Sequence, residues 1–396
     1  MLTTDDLALP NLKIGILASH PIQYQAPLFR ALAKKCTLTV YYAHRQTPQA
    51  HAEAGFGVAF EWDIDLFSGY ESKFLRNVAR SPSAGRFFGC DTPDIATEVT
   101  SRRFDAFLVM GWNLKAFWQA TMACRRRGVP VMVRGDSQLG TPRSWTKRIV
   151  KSGLYPWLLG HFDASLYVGA RNRDYLESYR VPADRLFFSP HCIDVAEFAA
   201  ASDRVDRFAI RASWGLPAGH AVVLFVGKMK ASKRPDELLQ SMARLRSRGI
   251  PAALVWAGDG PERPELAREC SRLDIPSKFL GFQNQSSLPL VYAAADVMAL
   301  PSEEPWGLVV NEALACGTPC VVSDACGCAP DMVVSGRTGE VFPLGDLDAL
   351  ATALARAIQI PRRSREMSYR SDRHSPEAAA RGVLEAAYAK RRSRLQ

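Results

Sequence analysis

The sequence predicts an α/β protein made of two doubly wound parallel-sheet domains. Three observations lead there. Short apolar runs alternate with helical patterns from one end of the chain to the other, the runs are apolar throughout rather than at every second position, and ten of them can be read. A run that is apolar throughout is a strand buried on both faces, and strand–helix alternation gives parallel sheets covered by helices. Ten such strands in 396 residues suit two domains better than one.

In the first half the predicted strands are Lys13–Ala18, Thr37–Tyr42, Ala106–Met110, Val131–Val133 and Ala164–Val168. In the second half they are Ala221–Val226, Ala253–Ala257, Lys278–Leu280, Val297–Leu300 and Cys320–Ser323. The join is expected in the polar stretch from Asp194 to Pro217, read as holding one helical segment. The division is therefore 1–199 for a first Rossmann-like domain, 200–374 for a second, and 375–396 for a terminal helix packing back on the first. That tail, Pro376 to Arg394, carries Ala, Val and Leu on one side and Lys390-Arg391-Arg392 at its end, where cations complement the helix dipole.

Composition narrows the class. With 47% hydrophobic and 23% charged residues the chain is globular. No apolar run reaches the ~18 residues of a membrane span. Met1 to Asp6 carries neither a basic region nor an apolar core, so no signal peptide is expected. The nine scattered cysteines read as cytosolic thiols, which gives a cytoplasmic location, at most peripheral at the inner membrane face. The net charge of +10 raises nucleic acid and anionic membranes as partners. The arginines form no continuous tract and no zinc-finger or RNA-binding aromatic signature accompanies them, so no nucleic acid is expected. One segment keeps the membrane open. Between Arg143 and Leu159, the cations Arg143, Lys147 and Lys151 share a helical face, and Trp145, Ile149, Val150, Leu154 and Trp157 cover much of the rest. Such a helix either lies on an anionic bilayer or packs on the sheet and shows its basic face to water.

The most informative stretch is Pro301 to Pro319. An apolar strand ends at Leu300, Glu304 and Glu312 follow eight positions apart, and Gly307 between them opens a helix. The first backbone N–H groups of a helix are unpaired and suit a phosphate. Carboxylates beside them are left to accept hydrogen bonds from sugar or ribose hydroxyls. That division of labour points to a nucleotide-sugar. Upstream, a strand ends at Gly227, a loop carries Lys228 and Lys233, and a helix begins near Pro235. Cations at the carboxyl end of a parallel strand lie where such sheets bind ligands, although a solvated basic loop has the same composition. Gly258-Asp259-Gly260 permits a tight turn near ligand, and Gly281-Phe282 offers backbone groups and a ring edge to a base.

Taken in order, Gly227-Lys228 with Lys233, Gly258-Asp-Gly-Pro261, Gly281-Phe282, Tyr292-Ala-Ala-Ala-Asp296, Pro301-Ser302, Glu304 with Glu312, and Ala315-Cys-Gly-Thr-Pro319 resemble the C-terminal half of retaining glycosyltransferases of family 4. The likeness is dense over roughly residues 220–350. It implies the GT-B architecture, two Rossmann-like domains facing each other across a cleft. It also implies transfer of a sugar from a nucleoside diphosphate to an acceptor hydroxyl, in bacterial polysaccharide, lipopolysaccharide or glycoconjugate synthesis. By this resemblance Lys228 and Lys233 hold the donor diphosphate, Glu304 the transferred sugar and Glu312 the ribose. The backbone N–H groups of Gly307, Leu308 and Val309 take phosphate oxygens, and Gly227, Gly258 and Phe282 complete the donor wall. No metal and no other cofactor is implied. Lys228 replaces the family's Arg, keeping charge but not bidentate geometry, and Trp306 stands where Phe is usual.

The first half departs from that pattern. Ser19-His20-Pro21-Ile22-Gln23-Tyr24-Gln25 stands where a glycine pair is common, and Arg134-Gly135-Asp136-Ser137 where a His is common, both at strand ends facing the cleft. His20, Gln23 and Arg134 are candidates for acceptor or sugar contacts, and Asp136 for a catalytic role. Alternatively, Arg134 and Asp136 pair with each other. The segment Ser189-Pro190-His191-Cys192-Ile193-Asp194 resembles the exit to the linker. A GT-B epimerase or hydrolase of nucleotide-sugars, or a non-catalytic nucleotide-sugar-binding protein, would share the donor site. Asp63-Ile-Asp65 and Asp346-Leu-Asp348 have a metal-binding spacing, but the second reads as a helix cap. Cys316, Cys320, Cys326 and Cys328 lack zinc-ligand spacing.

Overall fold

The computed structural model describes residues 12–45, 62–140 and 145–395; for 145–150 and 392–395 it describes the backbone alone. The start of the chain, Met1 to Asp6, and Arg143 lie outside the described residues, as do the side chains of Trp145, Lys147, Ile149 and Val150.

Two wholly parallel sheets account for the described strands. The first holds β1 (Lys13–Ala18), β2 (Thr37–Tyr42), β3 (Glu71–Phe74), β4 (Ala106–Val109), β5 (Val131–Gly135), β6 (Ala164–Tyr167) and β7 (Leu186–Phe188), in the order β3-β2-β1-β4-β5-β6-β7. The second holds β8 (Ala221–Val226), β9 (Ala252–Ala257), β10 (Ser277–Gly281), β11 (Val297–Leu300), β12 (Cys320–Ser323) and β13 (Gly339–Phe342), in the order β10-β9-β8-β11-β12-β13. In each sheet the strand order reverses once, between β1 and β4 and between β8 and β11. A crevice opens at such a point beyond the carboxyl ends of the strands.

Burial on both faces explains the unalternating runs. In β1, Leu17 packs into one core of the first domain, while Ile14, Ile16 and Ala18 pack into the other. Three strands were not foreseen: β3, β7 and β13. All three lie at sheet edges, where β3 and β7 are only partly buried, so their sequences lack the continuous apolar run. The Asp194–Pro217 stretch holds two helices, Val195–Asp203 and Arg207–Ser213, rather than one. Each is started by an aspartate, Asp194 or Asp206, whose side chain accepts from a backbone N–H of the first turn. The first of them spans the drawn boundary at 199/200 and packs with the second core through Phe198.

The tail helix Pro376–Leu395 returns to the first sheet, where Ala379, Ala380, Val383, Ala386 and Ala387 are buried. Small residues let it lie close: a Cβ on Gly382 would stand 1.8 Å from the carbonyl oxygen of Phe188. The helix Trp145–Leu159 divides its later side chains. Leu159 is buried and Tyr155 and Leu158 pack against the core, while Leu154 and Trp157 face outward.

Candidate active site

A cavity of about 600 Å³ runs between the two sheets and is lined from both. Twelve of the fourteen residues singled out in the sequence line it: Gln23, Asp136, Gly227, Lys228, Lys233, Gly258, Phe282, Glu304, Gly307, Leu308, Val309 and Glu312. The reversal of strand order brings most of them together. Strand β8 pairs with β11, so the loop starting at Gly227-Lys228 and the loop leading to Glu304 leave the sheet side by side.

Backbone packing shapes the floor. The N–H of Gly258 donates to the Gly281 carbonyl at 2.8 Å, and that of Gly227 to the Ala257 carbonyl at 3.0 Å. Gly258 has φ +142 and a Cβ there would meet the Gly227 carbonyl oxygen at 2.0 Å, so a side chain would push adjacent strand ends apart. Beyond β8 the chain makes a short 3₁₀ turn, Ala231–Lys233, and a left-handed Arg234 precedes Pro235, the first residue of the helix Pro235–Ser247. This turn delivers Lys233 to the cavity, where it forms an ion pair with Glu304. The Ser302 hydroxyl donates to the same carboxylate at 2.6 Å. Lys228 and Lys230 line the same wall. Burial, then the neighbouring charges of Lys230 and Lys233, hold the Lys228 ammonium below its ordinary pKa.

The helix Leu308–Ala315 begins at Gly307, which takes φ +107. Its amino end opens on the cavity through Leu308 and Val309. A Cβ on Gly307 would stand 2.8 Å from Cys326 Sγ and 3.0 Å from Leu300 Cδ2, in a backbone conformation that side chains disfavour. Gly307→Val should therefore unseat this turn, with a stability loss of about 2–4 kcal/mol and no detectable nucleotide binding, read by thermal denaturation with and without a nucleoside diphosphate. One turn on, Glu312 is buried and accepts from the Tyr292 hydroxyl at 2.7 Å. Burial raises its carboxyl to about 7, against the pull of hydrogen bonds from Tyr292 and Gln285.

The first domain supplies the opposite wall. Asp136 follows β5 and lies 3.6 Å from His191 Nε2. Burial pushes Asp136 up, but His191 and Arg134 outweigh it and leave the carboxyl below its ordinary value. His191 itself is held below its ordinary range by burial, against the pull of Asp136. Its ring sits between Tyr24, at 5.6 Å, and Trp306, at 5.8 Å. Trp306 in turn meets His374 at 5.6 Å and donates its indole N–H to Asn311 at 2.8 Å.

Two candidates fall elsewhere. Arg134 is buried under the wall and donates to the carbonyls of Ser189 and Pro190 at 3.1 and 2.7 Å. It does not line the cavity and forms no ion pair with Asp136; it anchors the stretch after β7 that carries His191. His20 does not line the cavity either: its Nδ1 lies 3.0 Å from the neighbouring Ser19 hydroxyl. The aspartates with metal spacing have other work. Asp65 caps the N–H groups of Phe67 and Ser68, Asp63 accepts from Ser286 across the cleft, and Asp346 caps the helix Leu347–Ala357. Cys326 and Cys328 lie 3.6 Å apart, buried beneath the Gly307 turn.

Three residues with a place at the site were not among the named candidates. Tyr24 and His191 line the cavity. Gln138 is buried and donates from Nε2 to the carbonyls of Glu304, at 2.9 Å, and Ala325, at 3.2 Å, so the first domain fixes the loop that carries Glu304. Tyr24 and His191 had a signal, since they stand in the segment after β1 that faces the cleft and in the exit to the linker; Gln138 had none.

Residues 206–374 match the family model described as Glycosyl transferases group 1. D-inositol 3-phosphate glycosyltransferase of Rhodococcus erythropolis is 37% identical over 194 residues, which is 46% of this chain and 44% of that protein. The same-named protein of Rhodococcus opacus is 35% identical over 213 residues, 50% of this chain and 48% of its own. The chain thus matches under half the length of these relatives. Among solved structures, Anabaena Alr3699/HepE in complex with UDP superposes with a TM-score of 0.69 at 18% identity, over 96% of this chain and 100% of that one. The lipopolysaccharide outer core galactosyltransferase WaaB gives 0.68 at 15% identity, over 96% and 100%. On these comparisons the chain has the GT-B fold, and its second domain matches the glycosyl transferases group 1.

Proposed function

We propose that the protein transfers a sugar from a nucleoside diphosphate to an acceptor hydroxyl with retention of anomeric configuration and without a divalent cation. The observation that carries the reading is the meeting, in one cavity, of Lys228, Lys233 and the amino end of the helix Leu308–Ala315 with Glu304. Charge grows on the diphosphate as its bond to the sugar breaks. Preorganised cations and helix N–H groups stabilise that charge in a site shielded from water, which is the task a metal performs in other transferases. Glu304 accepts hydrogen bonds from the sugar hydroxyls and Glu312 from the ribose. Asp136 orients the acceptor hydroxyl from the facing wall. Retention follows from the resemblance of the second domain's motifs, through attack on the face the diphosphate leaves, with the departing phosphate taking the acceptor proton.

The charges also bear on the acceptor. The three lysines of the cavity come from the second domain, while the facing wall brings Asp136 from the first domain and Asp194 and Glu197 from the start of the helix that joins the two. Arg30 is on that wall too, but its guanidinium donates to the Asp65 carbonyl at 3.0 Å. The names of the relatives include a phosphorylated acceptor. An acidic wall instead suits hydroxyls of an uncharged sugar unit, such as the end of a growing bacterial glycan or lipid-linked saccharide.

The test pairs a panel of nucleoside diphosphate sugars with neutral glycosides and sugar phosphates, following diphosphate release and product configuration by NMR. Transfer to a neutral acceptor with retention, unchanged by EDTA, is expected. Inverted product, or activity lost to EDTA and restored by magnesium, would overturn the mechanism. Hydrolysis or epimerisation exceeding transfer would assign a different reaction to the same site.

A further inference from the structure

The loop between β3 and the helix Ile95–Arg102 has no part in the site described above. It leaves the first sheet at its carboxyl edge, the edge that faces the cleft. From Leu75 to Cys90 it contains Arg76, Arg80 and Arg86 and no carboxylate. All three arginines are exposed. So are Val78, Phe87 and Phe88, at 46%, 43% and 73%, and the two rings meet edge to face at 4.9 Å.

The exposure is built in rather than left over from a loose segment. The legs of the loop are tied by the Val78 N–H to the Asp91 carbonyl at 2.8 Å and the Ser83 N–H to the Gly89 carbonyl at 2.9 Å. Asn77 bridges them further, donating to Gly89 and accepting from Asp91. Gly89 is pressed so close that a Cβ would stand 2.1 Å from the Ser83 carbonyl oxygen. Of the nearest acids, Asp91 takes Lys115 and Gln119, and Asp94 accepts from the backbone N–H of Arg76; among the described residues neither forms an ion pair with the three guanidinium groups.

We infer that this loop docks the protein on an anionic phospholipid surface, with Phe87 and Phe88 entering the acyl boundary and Arg76, Arg80 and Arg86 meeting the headgroup phosphates. Paired charge and apolarity decide the partner. Aromatic and aliphatic groups gain by entering the bilayer boundary, and cations beside them gain from an anionic leaflet. A single-stranded nucleic acid would also meet arginines and rings, but it is held by faces on which bases stack. Here the two rings stand at 89° to each other and so form no parallel platform for successive bases. A bilayer at this edge of the sheet would bring a lipid-borne acceptor to the mouth of the cleft. The docking itself does not depend on the transfer reaction.

Co-sedimentation of the full chain with phosphatidylcholine vesicles, with and without about a third phosphatidylglycerol, tests the inference. The protein should bind the anionic vesicles and not the neutral ones. Phe87→Ser with Phe88→Ser should weaken binding at least ~10-fold, and Arg76→Gln with Arg80→Gln and Arg86→Gln on the order of 100-fold. Unchanged melting temperatures would show that both variants are folded. Equal binding to the two vesicle types by the unaltered chain overturns the inference. So does undiminished binding by both variants, which would move the contact to Leu154 and Trp157. Tighter capture by poly(U) than by anionic vesicles would also refute it.

Discussion

Lys233→Ala should lower kcat/KM for sugar transfer by about 10²–10³-fold, and Glu304→Ala by at least as much. The structure pairs these two side chains, 27% and 13% exposed, across the part of the cavity where a diphosphate and its sugar would meet. A departing diphosphate is a stronger partner for an ammonium than a single carboxylate, and a carboxylate so released accepts the sugar's hydroxyls. In the proposed reaction each residue would act in the transition state through a substrate group that replaces the other. The double variant should be little worse than the worse single one, because groups working as a unit are not additive. The fold should survive. Without Lys233, Glu304 keeps the Ser302 hydroxyl and some contact with water, so the loss is on the order of 1 kcal/mol. Lys233→Arg keeps the charge and should recover part of the rate. The measurement is diphosphate release at saturating acceptor, beside thermal melts of each variant. Near-normal transfer by both alanine variants would remove Lys233 and Glu304 from the reaction.

What could be read from the sequence has a physical boundary. The second half of the site was legible because each of its parts is local. A strand end, a glycine and a cation or acid lie within a few residues, as in Gly227-Lys228 and Glu304 to Gly307, and parallel topology then sets them side by side. Central strands were legible for the same reason: burial on both faces writes a continuous apolar run. The edge strands β3, β7 and β13 carry no such run. The first domain's wall was harder because its parts act over long separations. Arg134 looked like a cleft residue from its place at the end of β5, yet its guanidinium turns under the sheet to carbonyls 55 and 56 residues away. Gln138 reaches 166 residues along the chain to the Glu304 carbonyl. Nothing near Gln138 in sequence marks that contact, which exists only once the two domains face each other.

Glu312 should make stability fall as the pH rises, and it should give up a proton when donor binds. Its carboxyl is raised by burial from the ordinary 4.5 to about 7. The folded state therefore holds this proton in a range where the unfolded chain has lost it. The resulting stability is fully present below about 4.5 and disappears as the pH climbs through about 7, a swing of about 3 kcal/mol at 1.36 kcal/mol per pH unit. Glu312→Gln removes the titration while keeping an oxygen for the Tyr292 hydroxyl. Urea melts should show the two proteins equally stable near pH 5 and the Gln variant more stable near pH 8. Parallel pH profiles would show that Glu312 titrates at its ordinary value. The same raised carboxyl makes the ribose assignment testable without any acceptor. Ribose hydroxyls donate hydrogen bonds, and they donate best to the ionised form, so a bound nucleoside diphosphate should draw the carboxyl down and expel its proton. Near pH 6.5, calorimetric titration in buffers of different ionisation enthalpy should record a substantial fraction of a proton released per nucleotide bound. Glu312→Gln should abolish that release and weaken binding by about 10-fold. If the nucleotide binds with no proton released, or if release persists in the Gln variant, the ribose sits elsewhere and Glu312 is a core acid held for packing with Tyr292.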